Sequence, residues 1–409
     1  MNVPFYIAKK QGFQQRNAYT ASIVRIGIIA TALSVAVMII SFSFINGFKH
    51  TVKEKVTQFW GDVTIADFGL KPQANLVADA IYKDAQLEQA LYQNKNIAAY
   101  FPYILRPAIL HAHQLMEGIQ LKGIDASFHW SETMHYSGEA GFNLDSANTN
   151  AIVLSTTTAN RLHLQKGSNL FVYFLQKESA VPKIRKLKVV GLYHTGMEEL
   201  DKHFAFCNLT LLQKVNQWSA QQISGYQVQV TDPLQATIMA NNLQQQYLQA
   251  PVVATPTSEL YASIFDWLHL QDMNACIIYI IMILVAMINL SVAILILIVD
   301  QSKTIGVLQS LGMRFWEIQK IYLWHGFKIA TWGVGLGTLL ALGICIAQLQ
   351  FGFLKLNEAT YYMAEVPVKL SLLPIVCINA GTILLCGICT LLPGLYIRTL
   401  QVSKLIQFK

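Results

Sequence analysis

Hydrophobic and polar positions along the chain fall into two regimes. Four stretches carry no Asp, Glu, Lys or Arg: between Arg25 and Lys49, Asp272 and Asp300, Lys328 and Lys355, and Lys369 and Arg398. Each exceeds the roughly 20 apolar residues a helix needs to cross a bilayer. Transmembrane helices are therefore expected at 23–46, 271–299, 326–352 and 370–397. Residues 47–270 return to the composition of a soluble domain and are long enough to bury a core of their own. The remaining pieces are an amphipathic N-terminal segment at 1–22, loops at 300–320 and 353–369, and a tail at 398–409.

The first apolar stretch does not stop at the membrane surface. Phe44, Phe48, Val52, Val56 and Phe59 continue an apolar stripe at helical spacing past Lys53, Glu54 and Lys55, which predicts a stalk. Leu260, Ile264, Trp267 and Leu268 form a matching face ahead of the second span. One helix from Ser258 to Val299 would be roughly 60 Å long, about twice the hydrocarbon thickness. The alternative is a helix break at the interface, near Gly47 and Asp272.

Inside the 47–270 domain the periods change. Val63–Ala66 reads as a strand, Ala85–Tyr92 as a helix and Pro102–His113 as a strand or strand pair. The pattern then recurs: Tyr226–Val230 alternates as a strand, Asp232-Pro233 opens a helix reaching about Leu248, and Val252–Ala254 is a further strand. Two β-α-β halves close into one split β-α-β sheet packed by two helices. Between them, at about 118–224, lies a β-rich insertion. In it Leu170–Leu175 and Lys186–Tyr193 flank a loop containing Pro182 and the basic Lys177, Lys183 and Arg185, which reads as a protruding hairpin. The expected class is an α-helical membrane protein with four transmembrane helices and a large α+β extracytoplasmic domain.

Composition agrees: the 409 residues are 53% hydrophobic and only 13% charged, and mean hydropathy is +0.38, which excludes a soluble globular enzyme. Charge adds orientation. Residues 47–270 hold 17 Lys+Arg against 18 Asp+Glu, leaving 13 against 5 for the membrane part. Lys9, Lys10, Arg16 and Arg25, then Lys303, Arg314 and Lys320, then Arg398, Lys404 and Lys409 share one side. The positive-inside rule makes that side the cytoplasm, with both termini there and the large domain outside. A basic nucleic-acid surface on the soluble domain is lacking. No small-residue cleavage pattern follows Ile45, so the first span is expected to stay as an anchor. Of six cysteines only Cys207 lies in the domain, which therefore forms no internal disulfide, and Cys386-x-x-Cys389 reads as two small apolar fillers of a membrane helix.

The catalytic signatures of nucleotide hydrolysis, zinc proteolysis and serine hydrolysis do not occur, so the chain is expected to catalyse nothing and to need no cofactor or metal. Glu198, Glu199, Asp201 and His203, with His194 nearby, are metal-ligand types at a spacing that instead reads as a turn and a capped helix. His111-x-His113 places two imidazoles on one strand face without a third ligand. The spans hold almost no ionisable side chain, which disfavours an ion channel or a proton-coupled carrier.

Energy must then come from a partner. Lys303, Thr304, Ile305, Gly306, Val307, Leu308, Gln309, Ser310, Leu311, Gly312, Met313 and Arg314 form a short basic-flanked segment in which Ile305, Leu308 and Leu311 face one way. Such a helix lies on a membrane or docks in another protein's groove. Gly333-x-Gly335-x-Gly337 gives the third span a small-residue surface for close helix contact. Val37, Ile40 and Ile45 of the first span and Ile281, Leu284 and Ile288 of the second offer an apolar surface to lipid and acyl chains.

At these residues the chain resembles the lipoprotein-releasing (Lol-type) permeases, within the wider group of ABC-transporter permeases that includes MacB-type exporters and FtsX-like proteins. The likeness runs nearly end to end: Phe5-Tyr6-Ile7-Ala8, Asn46-Gly47-Phe48 at the end of the first span, Lys303 to Gly312, and Leu392-Pro393-Gly394 through Arg398 and Val402. The resemblance implies a cytoplasmic ATPase that binds the ATP, a second permease, identical or homologous, and an external domain that transmits motion. It implies that Lys303 to Arg314 is the coupling helix seated on the ATPase. Thr304 stands where many relatives have an acidic residue, which leaves the docking position intact but withholds support for a salt bridge there. It further implies lipoprotein substrates and a soluble periplasmic carrier docking on the hairpin at Gln176, Lys177, Pro182, Lys183 and Arg185. MacB-type efflux and FtsX-like regulation of a cell-wall hydrolase are the alternatives.

Overall fold

The computed structural model describes residues 18–69, 79–128, 130, 134–138, 150–175 and 181–396. The chain divides into two compact units. A membrane unit takes the chain up to Lys49, Leu268–Leu354 and everything from Glu365 on. An inserted unit takes His50–Trp267 together with Lys355–Ala364.

Among the described residues, four helices are long and apolar enough to cross a membrane. Helix α1 runs unbroken through Ala18–Trp60, so there is no interruption at Gly47. In the membrane unit it packs against the third long helix at small residues: a Cβ on Gly333 would lie 2.7 Å from Thr31, and one on Gly337 would meet the Ala32 carbonyl, whereas Gly335 faces open space. The glycines at i and i+4 thus serve the contact and the middle one does not, because a helical face repeats every three to four residues.

The inserted unit is built on a ten-stranded sheet with helices against it. In chain order its elements are β1 (Val63–Asp67), β2 (Ile81–Tyr82), α2 (Ala85–Gln93), β3 (Ile97–Ala112), β4 (Leu115–Ile124), β5 (Ser137–Gly138), β6 (Ala151–Ser155), α3 (Thr156–Arg161), β7 (Asn169–Phe174), β8 (Lys183–Tyr193), α4 (Glu198–His203), β9 (Phe204–Asn208), α5 (Leu209–Asn216), β10 (Gln222–Ile223), β11 (Gly225–Val230), α6 (Ala236–Gln246), β12 (Val252–Pro256) and α7 (Thr257–Leu260). The order β12-β1-β11-β3, antiparallel at each step, interleaves the two β-α-β halves as a split β-α-β sheet. Leu87, Leu91, Met239 and Leu243 bring α2 and α6 into the core that covers it.

Two sequence expectations need correction here. The insertion does not begin at Gly118: β3 pairs β11 through Tyr103, then passes from Ile104 onward into pairing with β4 and, at Ile109–His111, with β7. A 16-residue strand, largely apolar but carrying Arg106, Pro107 and His111, belongs to both subdomains. The insertion is β-rich as expected and has a helix, α4, after Gly196 where one was expected; α3 and α5 are too short for their periodicity to stand out. Finally, the helix ahead of the second span is not continuous from Ser258. It breaks at Tyr261 and restarts as α8 (Ala262–Asp300). Thr257 donates from its backbone N–H to the Asp62 carbonyl at 2.9 Å and from its hydroxyl to Gly61 at 2.7 Å, and Tyr261 packs beside Trp60, so the first turn is pinned off the helix line.

The membrane unit continues with α9 (Ser302–Ser310), α10 (Phe315–Phe351), then α12 (Leu372–Cys389) and α13 (Leu391–Tyr396), while α11 (Glu358–Tyr361) belongs to the inserted unit. Spans three and four approach at Thr338 and Asn379, whose Oγ1 and Oδ1 lie 3.1 Å apart, the Thr338 hydroxyl also lying 2.8 Å from the Val334 carbonyl.

Candidate functional site

The Lys303–Arg314 segment folds as α9 and ends in a Schellman motif. Met313 N–H donates to Leu308 O at 3.1 Å and Gly312 N–H to Gln309 O at 3.0 Å. Gly312 sits at φ +87, where a side chain would be strained. Arg314 then opens α10, its N–H donating to the Glu317 carboxylate at 3.1 Å. The motif brings Leu308 and Met313 inward, against a cluster of Ile298, Ile305, Ile318 and Tyr322. This corrects the expected face: Ile305 and Leu308 point into the chain, Gly306 is buried, and the apolar side chains left open are Val307, 53% exposed, and Leu311, 79% exposed. Leu311 lies at the helix end, where the chain turns away from the ideal helical wheel. Lys303, Thr304 and Arg314 are exposed and Gln309 half-buried.

On the apolar spans, Ile281, Leu284 and Ile288 are exposed along α8, whereas Val37, Ile40 and Ile45 of α1 are half-buried, Ile40 at the edge of a buried cluster that includes Val35, Ile39 and Val334.

The hairpin forms from β7 and β8, registered from Asn169↔Lys188 to Phe174↔Lys183. Lys183 and Arg185 are therefore strand residues and not tip residues. Lys183 donates to the Val215 carbonyl at 2.9 Å, while Arg185 is exposed. Pro182 is half-buried, and Gln176 and Lys177 lie outside the described residues. Ile109, Tyr173 and Ile184 are in register across three strands, with Met116, Phe171 and Ile184 exposed on this part of the sheet. Alternation alone missed this, because the pairing partners are far apart in sequence.

His111 and His113 do not share a strand face. β3 ends at Ala112, and His113 adopts φ 47 in the turn, while His111 stacks edge-on against Tyr173. The acidic run is not a cap either. Helix α4 starts after Met197 without a side-chain cap, and Asp201 turns inward to accept from Thr195 N–H at 3.0 Å and Thr195 Oγ1 at 2.7 Å and to meet His194 Nδ1 at 2.9 Å. Burial pushes the Asp201 carboxyl above the usual carboxylate range, opposed by the Thr195 hydrogen bonds.

A site that the sequence did not point to lies where α1 enters the inserted unit. Lys122, in the middle of β4, is fully buried. Its amine donates to the Phe59 carbonyl and, at 2.7 Å, to Gln227 Oε1, and it stands 4.6 Å from the centre of the Trp60 ring and 4.9 Å from that of Phe59. Phe59 is in the last turn of α1, whose carbonyls have no partner within the helix, so a donor supplied by the sheet satisfies the end of the stalk. Desolvation lowers the Lys122 pKa well below that of a free lysine.

Comparison with known proteins fits these two units. The MacB-like periplasmic core domain matches residues 26–246 and the FtsX-like permease C-terminal region matches residues 276–402. Among curated proteins, the chain is 23% identical to the lipoprotein-releasing system transmembrane protein LolE of Haemophilus influenzae, covering 99% of each. It is 21% identical to the lipoprotein-releasing system transmembrane protein LolC of Xylella fastidiosa, covering 97% of this chain and 96% of the relative. Among solved structures, the periplasmic region of MacB from Actinobacillus actinomycetemcomitans aligns with 49% of this chain and 91% of its own at 12% identity and a TM-score of 0.34. A multi-pass chain whose inserted α/β unit and C-terminal spans match these two profiles belongs to the MacB-like periplasmic core domain family of FtsX-like permeases, and its near-full-length relatives are lipoprotein-releasing transmembrane proteins.

Proposed function

We propose that this chain is the permease subunit of an ABC transporter that extracts lipoproteins from the inner membrane and passes them to a periplasmic carrier. The observation that carries this reading is the end-to-end similarity to relatives named for lipoprotein release, across both the inserted unit and the spans. The N and C termini face the cytoplasm and the inserted unit the periplasm, in keeping with the basic residues flanking the spans. A separate ATPase binds and hydrolyses the ATP and docks on α9, where Val307 and Leu311 leave an apolar surface open between Lys303 and Arg314. A second permease, identical or homologous, completes the assembly.

The physics suits the task. An acyl chain buries about 0.8 kcal/mol per CH₂, so withdrawing several chains requires both external energy and an apolar route. Ile281, Leu284 and Ile288 are exposed along α8 and supply such a surface, lipid or acyl chain being their natural contact. The β7–β8 hairpin, with Arg185 exposed, is where the carrier docks.

Depletion of the protein tests the reading: outer-membrane lipoproteins are expected to remain in the inner membrane. Normal lipoprotein sorting with accumulation of a drug or peptide would instead assign MacB-type efflux. Activation of a cell-wall hydrolase without any transfer would assign an FtsX-like regulator.

A further inference from the structure

The ten residues Lys355–Ala364 belong to the inserted unit, although the chain on both sides of them belongs to the membrane unit. They form a small closed loop, with Leu356 N–H donating to Ala364 O at 2.8 Å and one helical turn, α11, inside it. Three contacts hold it on the inserted unit. His194 Nε2 meets Glu358 Oε1 at 2.7 Å, Lys55 Nζ donates to the Tyr362 carbonyl at 2.8 Å, and the Tyr362 ring lies edge-on to Trp267 with centroids 6.0 Å apart. Met363, next along the chain, is buried.

His194 is the centre of this arrangement. Its Nδ1 faces the buried carboxylate of Asp201 at 2.9 Å while its Nε2 faces Glu358, so both ring nitrogens point at carboxylate oxygens. Each ring nitrogen thus has a carboxyl oxygen within hydrogen-bond reach, and Thr156 Oγ1 stands 3.3 Å from Nδ1. Asp201 is fixed in turn by Thr195, and Lys55 adds a cation facing both carboxylates. Gly196, at φ +72, completes the fit: a Cβ there would lie 2.6 Å from Glu358 Oε1 and 2.9 Å from Lys55 Nζ. A loop that merely crossed between two spans would need neither a preformed carboxyl–imidazole–carboxyl bridge nor a glycine cleared for its approach.

From this geometry we infer that Lys355–Ala364 is a strap and that His194 is its positioning residue, bolting the loop to the inserted unit through Asp201 on one side and Glu358 on the other. Because the loop is covalently continuous with the third and fourth spans, the strap gives those spans their own chain connection to the inserted unit, besides α1 and α8. The inference does not depend on what the permease carries.

Hydrogen exchange of the full-length protein in detergent, read by mass spectrometry over 355–364, tests it. Wild-type amides of α11 and Tyr362 are expected to be protected. His194→Ala and Glu358→Ala should each speed their exchange by about tenfold or more, and the double variant should exchange no faster than either single one, because both remove one bridge. Amides of β6 and β9 serve as the folding control. Should His194→Ala disturb them, Glu358→Ala, which alters only the loop side, decides alone. Loop amides unprotected in the wild type, protection unchanged in Glu358→Ala, or effects that add in the double variant of a folded unit would each overturn the strap.

Discussion

Lys122 on β4 reaches Gln227 on β11 at 2.7 Å, although β3 lies between their strands, and the same amine takes the carbonyl of Phe59. A single amine thus joins the end of α1, the split β-α-β sheet and the first strand pair of the insertion. The aromatic rings of Phe59, Trp60, Tyr103 and Phe128 close over it, and their electron-rich faces partly replace the water it has lost.

This placement makes stability depend on pH in a stated direction. The Lys122 pKa is lowered on folding, so in the window below the free-lysine value of 10.5 the unfolded chain holds more protons than the folded one. Stability of the inserted unit should therefore rise with pH through that window, and Lys122→Met should remove the rise. Lys122→Ala should destabilise at every pH, because two buried acceptors lose their donor at about 1–3 kcal/mol each. Chemical denaturation of the purified protein across pH 7 to 10 is the measurement.

Asp62 provides the opposite sign. Burial raises its pKa, although it accepts from Val230 N–H at 3.0 Å. Its folded form holds the proton more tightly than the unfolded chain, so its contribution is greatest below 3.8 and is lost as pH rises through the folded value. Asp62→Asn keeps an acceptor for Val230 and should improve stability at pH 7 relative to wild type, with the advantage vanishing at pH 4. Equal unfolding midpoints for the two proteins at both pH values would refute this.

The close approach of spans one and three predicts a contrast between neighbouring glycines. Gly337→Leu places a side chain against the Ala32 carbonyl, and overpacking of this kind costs about 1–3 kcal/mol. Gly335→Leu enters open space and should leave the thermal midpoint in detergent unchanged. A drop for both variants alike would mean that Gly335 also faces a helix.

On the coupling segment, Leu311→Asp and Val307→Asp should reduce copurification of the partner ATPase by at least about tenfold without lowering the yield of folded membrane protein, since both side chains are exposed. Leu308→Asp should instead lower the yield itself, because it forces a charge into the cluster around Ile305 and Tyr322. Undiminished ATPase capture by Leu311→Asp and Val307→Asp would make α9 a connector only.

Much of the architecture is a property of the sequence alone. Charge-free runs longer than a bilayer define four spans, and alternation against helical spacing marks β1, β11 and β12 and the helices between them, because those signals are local and need no knowledge of partners. The end-to-end resemblance was legible for the same reason, being carried by short motifs in fixed order. What the sequence left open is where long-range pairing chooses. Nothing local distinguishes the half of β3 that pairs β11 from the half that pairs β4, nor places Lys183 in a strand instead of at a tip. The inward turn of Leu308 follows from the Schellman motif at Gly312, which ends the wheel that periodicity assumes. The Lys122 contacts with Phe59 and Gln227 and the His194–Glu358 contact join residues 63 to 164 positions apart, and only folding brings such groups within 3 Å, so these sites belong to the tertiary structure.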